Sequence, residues 1–309
     1  MKKDDYKIAI IILNYNTPKE TIKCVESIKK VTMENVVIIV VDNGSKDESL
    51  SILKECFEYE KQVILLETGK NLGFSGGMNF GLQYAQKLDC DAFCLTNSDI
   101  LFEEDFFVEI RSIFSKNRDI GIIGPSLYNL DGQNSQHAQK NISVGNYLFS
   151  ISFLPRIFRK TAYKMRFYEY DSSADYIFSG MVSGACFAIR KELLENDGKL
   201  LDDKIFLYYE EDVVASIAQK KNYKSMIKAE TKVIHCEGAS TKKTINHLST
   251  IYFHASPIYV LNKYCGCSEK RTRTLIWLVR TRLRLREMFN SKSREIIHSF
   301  DEELNRLFN

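Results

Sequence analysis

Residues 8–18 read IAIIILNYNTP, a run of apolar and mostly β-branched residues closed by Asn14-Tyr15-Asn16 and a Thr-Pro step. A continuous apolar run of this length, bounded by turn residues, predicts a strand buried on both faces. Thr17-Pro18-Lys19-Glu20 then predicts a helix start. Thr17 is placed to cap it, Pro18 suits its first position, and Glu20 completes a capping box. Ile22, Val25 and Ile28 recur at helical spacing and supply a buried face. A strand followed directly by an amphipathic helix is the unit of a parallel sheet covered on both faces.

The unit repeats along the chain. Residues 36–41 predict the next strand, and Ser45-Lys46-Asp47-Glu48 reads as a second capping box. Residues 63–66 predict a third strand, and 71–77 a glycine-rich loop leading into a helix to about Gln86. Residues 92–96 predict a fourth strand, ending at Asn97-Ser98-Asp99. A helix over 103–115 and a strand over 120–124 follow. Polar or glycine-rich segments thus follow strands at 14–17, 42–45, 71–77 and 97–99. In open α/β sheets ligands bind beyond these carboxyl ends, so residues 1–125 read as a nucleotide-binding half. Between 131 and 175 polar and aromatic residues mix without a clear period, which reads as a long excursion or flap. Strand character returns over 181–189, a helix starts near Lys191, and another runs from about Glu211 to Lys220. Val233-Ile234 then leads to His235, and the chain from Leu248 onward reads as helical. The expected organisation is one α/β unit over 1–245, with halves 1–125 and 126–245, and a helical C-terminal extension over 246–309.

Bulk properties narrow the functional classes. With 309 residues, 44% hydrophobic and 27% charged, the chain can bury a full core. A net charge of +3 is too small to suggest a nucleic-acid binder. Six of the eight cysteines fall as singles, and the close pair Cys265/Cys267 lacks zinc-site spacing, so reduced thiols are expected. The apolar run 8–13 is too short for a leader, and no stretch approaches the ~20 apolar residues of a membrane span. The expected location is therefore cytoplasmic, or peripheral at the inner face of the cell membrane.

Several short motifs occur in a telling order. They are Leu13-Asn14-Tyr15-Asn16, Val41-Asp42-Asn43-Gly44-Ser45, Asn71-Leu72-Gly73-Phe74-Ser75-Gly76-Gly77 with Asn79, and Thr96-Asn97-Ser98-Asp99. Ser183-Gly184-Ala185, Glu211-Asp212-Val213, and His235 with Gly238 and Ser240 complete the series. Together, over about residues 8–240, they resemble the inverting family 2 glycosyltransferases of GT-A fold, most closely the rhamnosyltransferase-like branch.

The resemblance implies a transfer of one sugar, L-rhamnose or another hexose, from a dTDP- or UDP-linked donor to a glycan or polyprenyl-linked acceptor. Residues 1–125 would bind the donor and 126–245 the acceptor. Asp99 matches the last aspartate of the family's D-x-D motif and would ligate Mg²⁺ or Mn²⁺, with His235 at the metal or diphosphate. Oxygen ligands at a strand end suit either ion. Asn97 stands at the first motif position, where it can donate a hydrogen bond but carries no charge. The literal Asp89-Cys90-Asp91 precedes its strand and reads as a decoy. Asp42 would recognise the base or ribose, a carboxylate being able to accept the imide N–H of uracil or thymine. An Asx turn explains the same residues. Asn14, Asn16, Asn43, Asn71, Gly73, Phe74, Gly76, Gly77 and Asn79 fall in the donor motifs. Glycines let backbone N–H groups approach an anion, though a purely structural glycine turn fits as well. Ser183, Gly184 and Ala185 would meet the acceptor or the donor sugar. The resemblance places the base in the Glu-Asp pair, Asp212 first and Glu211 second. Repulsion within Glu210-Glu211-Asp212 would raise the proton affinity of at least one, whereas the plainer reading is acids facing a helix N-terminus.

The likeness stops after the histidine. Ser256-Pro257 stands where the branch has Arg-Asn, and Pro257 predicts a break in helical hydrogen bonding. Residues 270–294 interleave arginines with Leu275, Trp277, Leu278, Leu283 and Leu285. As a helix this segment would lie on an anionic membrane surface, cap the catalytic unit, or form a homo-oligomer contact. Two rival functions remain at this level: a non-catalytic sugar-nucleotide or glycan-binding subunit, and a nucleotidyltransferase. The second needs a glycine-rich basic signature after the first strand, and Asn14-Tyr15-Asn16-Thr17 is not one.

Overall fold

The computed structural model describes residues 6–32, 34–135, 137–169, 174–236, 248–287 and 293–309. Its first half follows the predicted alternation: β1 (Ile8–Asn14), α1 (Pro18–Val31), β2 (Val36–Asp42), α2 (Ser49–Phe57), β3 (Val63–Glu67), α3 (Gly73–Ala85), β4 (Ala92–Asn97), β5 (Ile100–Phe102), α4 (Phe106–Lys116) and β6 (Ile120–Tyr128). After it come three short helices, α5 (Val144–Ile151), α6 (Leu154–Ile157) and α7 (Arg159–Arg166), then β7 (Tyr176–Ser179) and β8 (Cys186–Arg190). Next are α8 (Glu210–Lys220), β9 (Lys224–His235), α9 (Leu248–Lys263), α10 (Glu269–Glu287) and α11 (Ser293–Phe308).

The strands form one sheet in the order β3-β2-β1-β4-β8-β6-β9-β5, with β7 also on β9. The four strands β3, β2, β1 and β4 are mutually parallel, whereas β8 runs antiparallel to both β4 and β6. Alternation along β1 divides the core. Ile8, Ile10 and Ile12 face α1, α2 and α4, and Ala9 and Ile11 face α3 and α8. This period of two is why an all-apolar run makes a central strand: both faces need covering. A third apolar cluster joins α9, α10 and α11 to Tyr147, Ile205 and Val213, so α8 is gripped between the sheet and the C-terminal helices.

Three local expectations differ from what forms. Thr17 stands at the N-cap position of α1 but its hydroxyl makes no capping bond, and Ser45 lies ahead of α2; both hydroxyls serve the Asn14–Asp42 network at the strand ends. Helix α2 starts only at Ser49, whose N–H is taken by Asp47. Helix α9 runs unbroken through Pro257. Residues 131–175 are more ordered than their pattern suggests, because α5 is closed by a Ser143/Asn146 capping box. Residues 120–128 and 224–235 pair along lengths greater than their apolar cores, through two register shifts.

Candidate active site

The carboxyl ends of β1, β2 and β4 lie side by side, with Asn14 paired to Asp42 and Leu13 to Asn97 in the ladder. Here the donor motifs meet. Asn14 donates to Asp42 Oδ2 at 2.7 Å and to Ser45 Oγ at 3.1 Å, while its own oxygen accepts from Thr21 at 2.8 Å. Asp42 also accepts from the Ser45 hydroxyl (2.6 Å) and N–H (3.1 Å). Asn16 adopts the left-handed region and takes the Lys46 N–H at 2.8 Å, locking the two loops together. The aspartate is thus wholly enclosed in a protein network with Asx-turn geometry.

The glycine-rich segment is held in a similar way. Asn43 accepts the Leu72 N–H at 3.0 Å, Asn71 accepts that of Gly73 at 2.9 Å, and Phe206 accepts that of Phe74 at 2.8 Å. The first N–H groups of α3 are therefore already satisfied by this chain. The glycines serve close approach. A Cβ on Gly77 would come 2.5 Å from Leu13 Cδ1, and one on Gly73, at φ +74°, 2.5 Å from the Phe206 carbonyl oxygen. Gly76 sits over Leu72 in the first turn. Asn79 is buried and ties α3 to the loop between β8 and α8, donating to Leu201 O and Asp203 Oδ1 (both 2.7 Å) and accepting from Leu200 N and Leu201 N.

Asp99 follows β4 and is buried, and pairing of Ile100 with His235 brings His235 Nε2 to 3.4 Å from Asp99 Oδ1. An oxygen and an imidazole nitrogen fit a Mg²⁺ or Mn²⁺ whose other ligands are water and phosphate. No third acidic, cysteine or histidine side chain joins them among the described residues. Gly238 and Ser240 lie outside the described residues. Asp91, of the decoy motif, takes the Lys7 N–H at the opposite end of the sheet.

A short chain of contacts links this edge to the acidic triplet. Asn97 N–H donates to Ala185 O at 2.9 Å, and Gly184 N–H donates to Glu211 Oε1 at 3.1 Å. A Cβ at Gly184 would fall 2.5 Å from that same carboxylate oxygen, so any larger residue would displace the Glu211 side chain. Asp212 Oδ1 accepts the Ile142 N–H at 2.7 Å. Burial pushes the Asp212 carboxyl up to about 7, and the Glu211 charge adds to this against the Ile142 N–H and Arg166. Burial likewise raises Glu211, and raises Glu210 well above the carboxylate range, with the Glu211 charge contributing. Glu210 Oε2 has no hydrogen-bond partner among the described residues. Tyr208 and Tyr209, both at φ +69°, lead the chain into α8 through a conformation that costs a non-glycine residue about 1–2 kcal/mol each.

Glu211, Asp212 and Ser183 line a cavity of about 470 Å³ roofed by α5, α6 and α7. Its other walls include Ile142, Tyr147, Arg166, Tyr208, Tyr209 and Phe253. Sequence reading missed Ile142, Arg166 and the two tyrosines. Their segments carry no period, and nothing in a Tyr-Tyr pair announces positive φ.

Known proteins share this fold and parts of this sequence. The mannosyltransferase PcManGT of Pyrobaculum calidifontis, solved with GDP-Man and Mn²⁺, superposes with a TM-score of 0.54 at 11% identity, covering 98% of this chain and 85% of that one. The fold is thus that of the GT-A glycosyltransferases. The low-salt glycan biosynthesis hexosyltransferase Agl10 of Haloferax volcanii is 25% identical over 217 residues, 70% of this chain and 62% of that protein. An uncharacterized glycosyltransferase of Haemophilus influenzae is 33% identical over 89 residues, 27% of this chain and 28% of that protein. Each match spans less than two thirds of the relative's own length. The model of glycosyl transferase family 2 matches residues 9–198, more than half the chain, and on that match the protein belongs to glycosyl transferase family 2.

Proposed function

We propose that the chain is an inverting glycosyltransferase that moves one sugar from a nucleoside-diphosphate donor to a glycan or lipid-linked acceptor in surface-glycan synthesis. The observation that carries this reading is Asp212, a buried carboxyl with a proton affinity near neutrality on the wall of a cavity large enough for a sugar. In the proposed step the acceptor hydroxyl oxygen attacks the anomeric carbon as its proton passes to Asp212. The bond from that carbon to the diphosphate oxygen breaks, and the nucleoside diphosphate departs with the electron pair. Glu211 holds the Ser183-Gly184-Ala185 turn against the reacting sugar through the Gly184 N–H. Asp99 and His235 would hold Mg²⁺ or Mn²⁺, which when bound offsets charge on the departing diphosphate. Family membership and the motif series favour a dTDP- or UDP-sugar, with L-rhamnose the sugar that the motifs most resemble.

The test is a titration of the purified protein against UDP-, dTDP- and GDP-sugars, each with and without Mn²⁺. Metal-dependent binding of one nucleotide class is expected. Glycan binding with no affinity for any nucleotide would favour a non-catalytic carbohydrate-binding subunit instead.

A further inference from the structure

The cavity roof has a second side. Residues 153–168 read FLPRIFRKTAYKMRFY, and no Asp or Glu occurs from 132 to 168. Helices α6 and α7 bury no residue. Phe153, Ile157 and Phe158 are 68%, 64% and 52% exposed, and Tyr163 and Tyr168 are exposed beside them. Arg156, Arg159, Lys160, Lys164 and Arg166 are interspersed and exposed as well. One of these, Lys164, meets Glu169 at 3.2 Å, a surface pair of small energetic weight. Scattered single apolar residues on a surface need no account, but a cluster of large ones in a short segment marks an interaction site.

The chemistry selects the occupant. Aromatic and aliphatic side chains among cations, with no acidic residue in the segment, complement a bilayer whose headgroups are anionic and whose boundary accepts apolar tips. The segment also has a fixed relation to the cavity, because Pro155, Ala162, Met165 and Arg166 line it together with Asp212. By contrast, Leu275, Val279 and Leu283 of α10 are buried within the C-terminal bundle, which leaves Trp277 and Leu285 as its exposed large apolar residues. We propose that residues 153–168 dock this protein on an anionic lipid surface and hold the mouth of the Asp212 cavity at the bilayer. This stands apart from the transferase reading, since lipid binding is measured without turnover.

The experiment is sedimentation of the full chain with phosphatidylcholine vesicles containing about one-third phosphatidylglycerol, against pure phosphatidylcholine. Binding to the anionic vesicles is expected, falling about 10-fold or more in the Phe153→Ser/Ile157→Ser/Phe158→Ser variant. Arg159→Glu/Lys160→Glu is expected to act in the same direction and to flatten the salt dependence. Trp277→Ser/Leu285→Ser, on the exposed side of α10, is expected to bind as the parent does. Hydrogen exchange on the parent protein needs no variant: vesicles are expected to slow exchange within 153–168. Unchanged partition of the triple variant, or protection confined to other segments, overturns the proposal. So does a solution dimer that the triple variant dissociates while the parent ignores vesicles, since the patch then belongs to a second copy.

Discussion

Asp42 and Asp212 are buried to nearly the same degree, 1% and 4% exposed, and the fold treats them in opposite ways. Three donated hydrogen bonds reach the Asp42 carboxylate from Asn14 and Ser45, so burial fixes it in place. Among the described residues Asp212 receives one, from Ile142, and it shares its helix turn with two more carboxyls. Its burial is incompletely compensated and appears as proton affinity. The difference teaches that burial depth alone does not say what a carboxyl does: the donors the fold supplies to it matter as much.

Breaking the comparison at its catalytic pole gives the largest effects. Asp99→Ala, which removes the carboxylate proposed to hold the divalent ion, is expected to lower turnover by roughly 10⁴-fold in a donor-consumption assay. Asp212→Asn keeps the acceptor for the Ile142 N–H and is expected to cost about 10³-fold in turnover with donor affinity nearly unchanged. If that variant retains activity, Asp212 is not the base.

The same residue ties activity to stability through pH. The proposed base works deprotonated, so turnover is expected to rise as pH climbs through about 7. Because the folded pKa lies above the unfolded one, its favourable contribution is full in acid and lost as pH rises through about 7. Asp212→Asn is therefore expected to be the more stable protein at pH 8, by on the order of 2 kcal/mol in denaturant melts, with the advantage vanishing toward acid. An advantage that grew toward acid would contradict the sign.

Smaller effects sharpen the organised pole. Gly73→Ala forces a side chain at φ +74° against the Phe206 carbonyl and is expected to destabilise by about 2–4 kcal/mol. Asn79→Ala strands the N–H groups of Leu200 and Leu201 and is expected to cost about 1–3 kcal/mol. If Asn79 meets the donor instead, donor affinity falls in that variant while the melting temperature does not.

Much of the sheet was legible because its signals are local. Residues 8–13, 36–41 and 92–96 are apolar runs whose burial on both faces follows from composition, and the parallel order follows from the helices between them. The ends of those strands, Asn14, Asp42, Asn97 and Asp99, could be placed at one edge for the same reason. The roles within that edge were less legible. Thr17 and Ser45 look like helix caps in sequence, and only the neighbouring strand shows that their hydroxyls serve Asn14 and Asp42. Pro257 reads as a break, yet α9 continues through it within the third apolar cluster.

The sequence by itself determined the α/β alternation, the edge where the motifs gather and the acidic triplet at the start of α8. Tertiary structure alone decided the proton affinity of that triplet, because desolvation depends on what α5, α7 and Ile142 bring against it from far along the chain. It also decided how far the apolar residues of two basic segments are covered. Leu275 and Leu283 of residues 269–287 are buried in the C-terminal apolar cluster, whereas Phe153 and Phe158 stay more than half exposed. Periodicity and capping are properties of neighbours in sequence; burial is a property of neighbours in space.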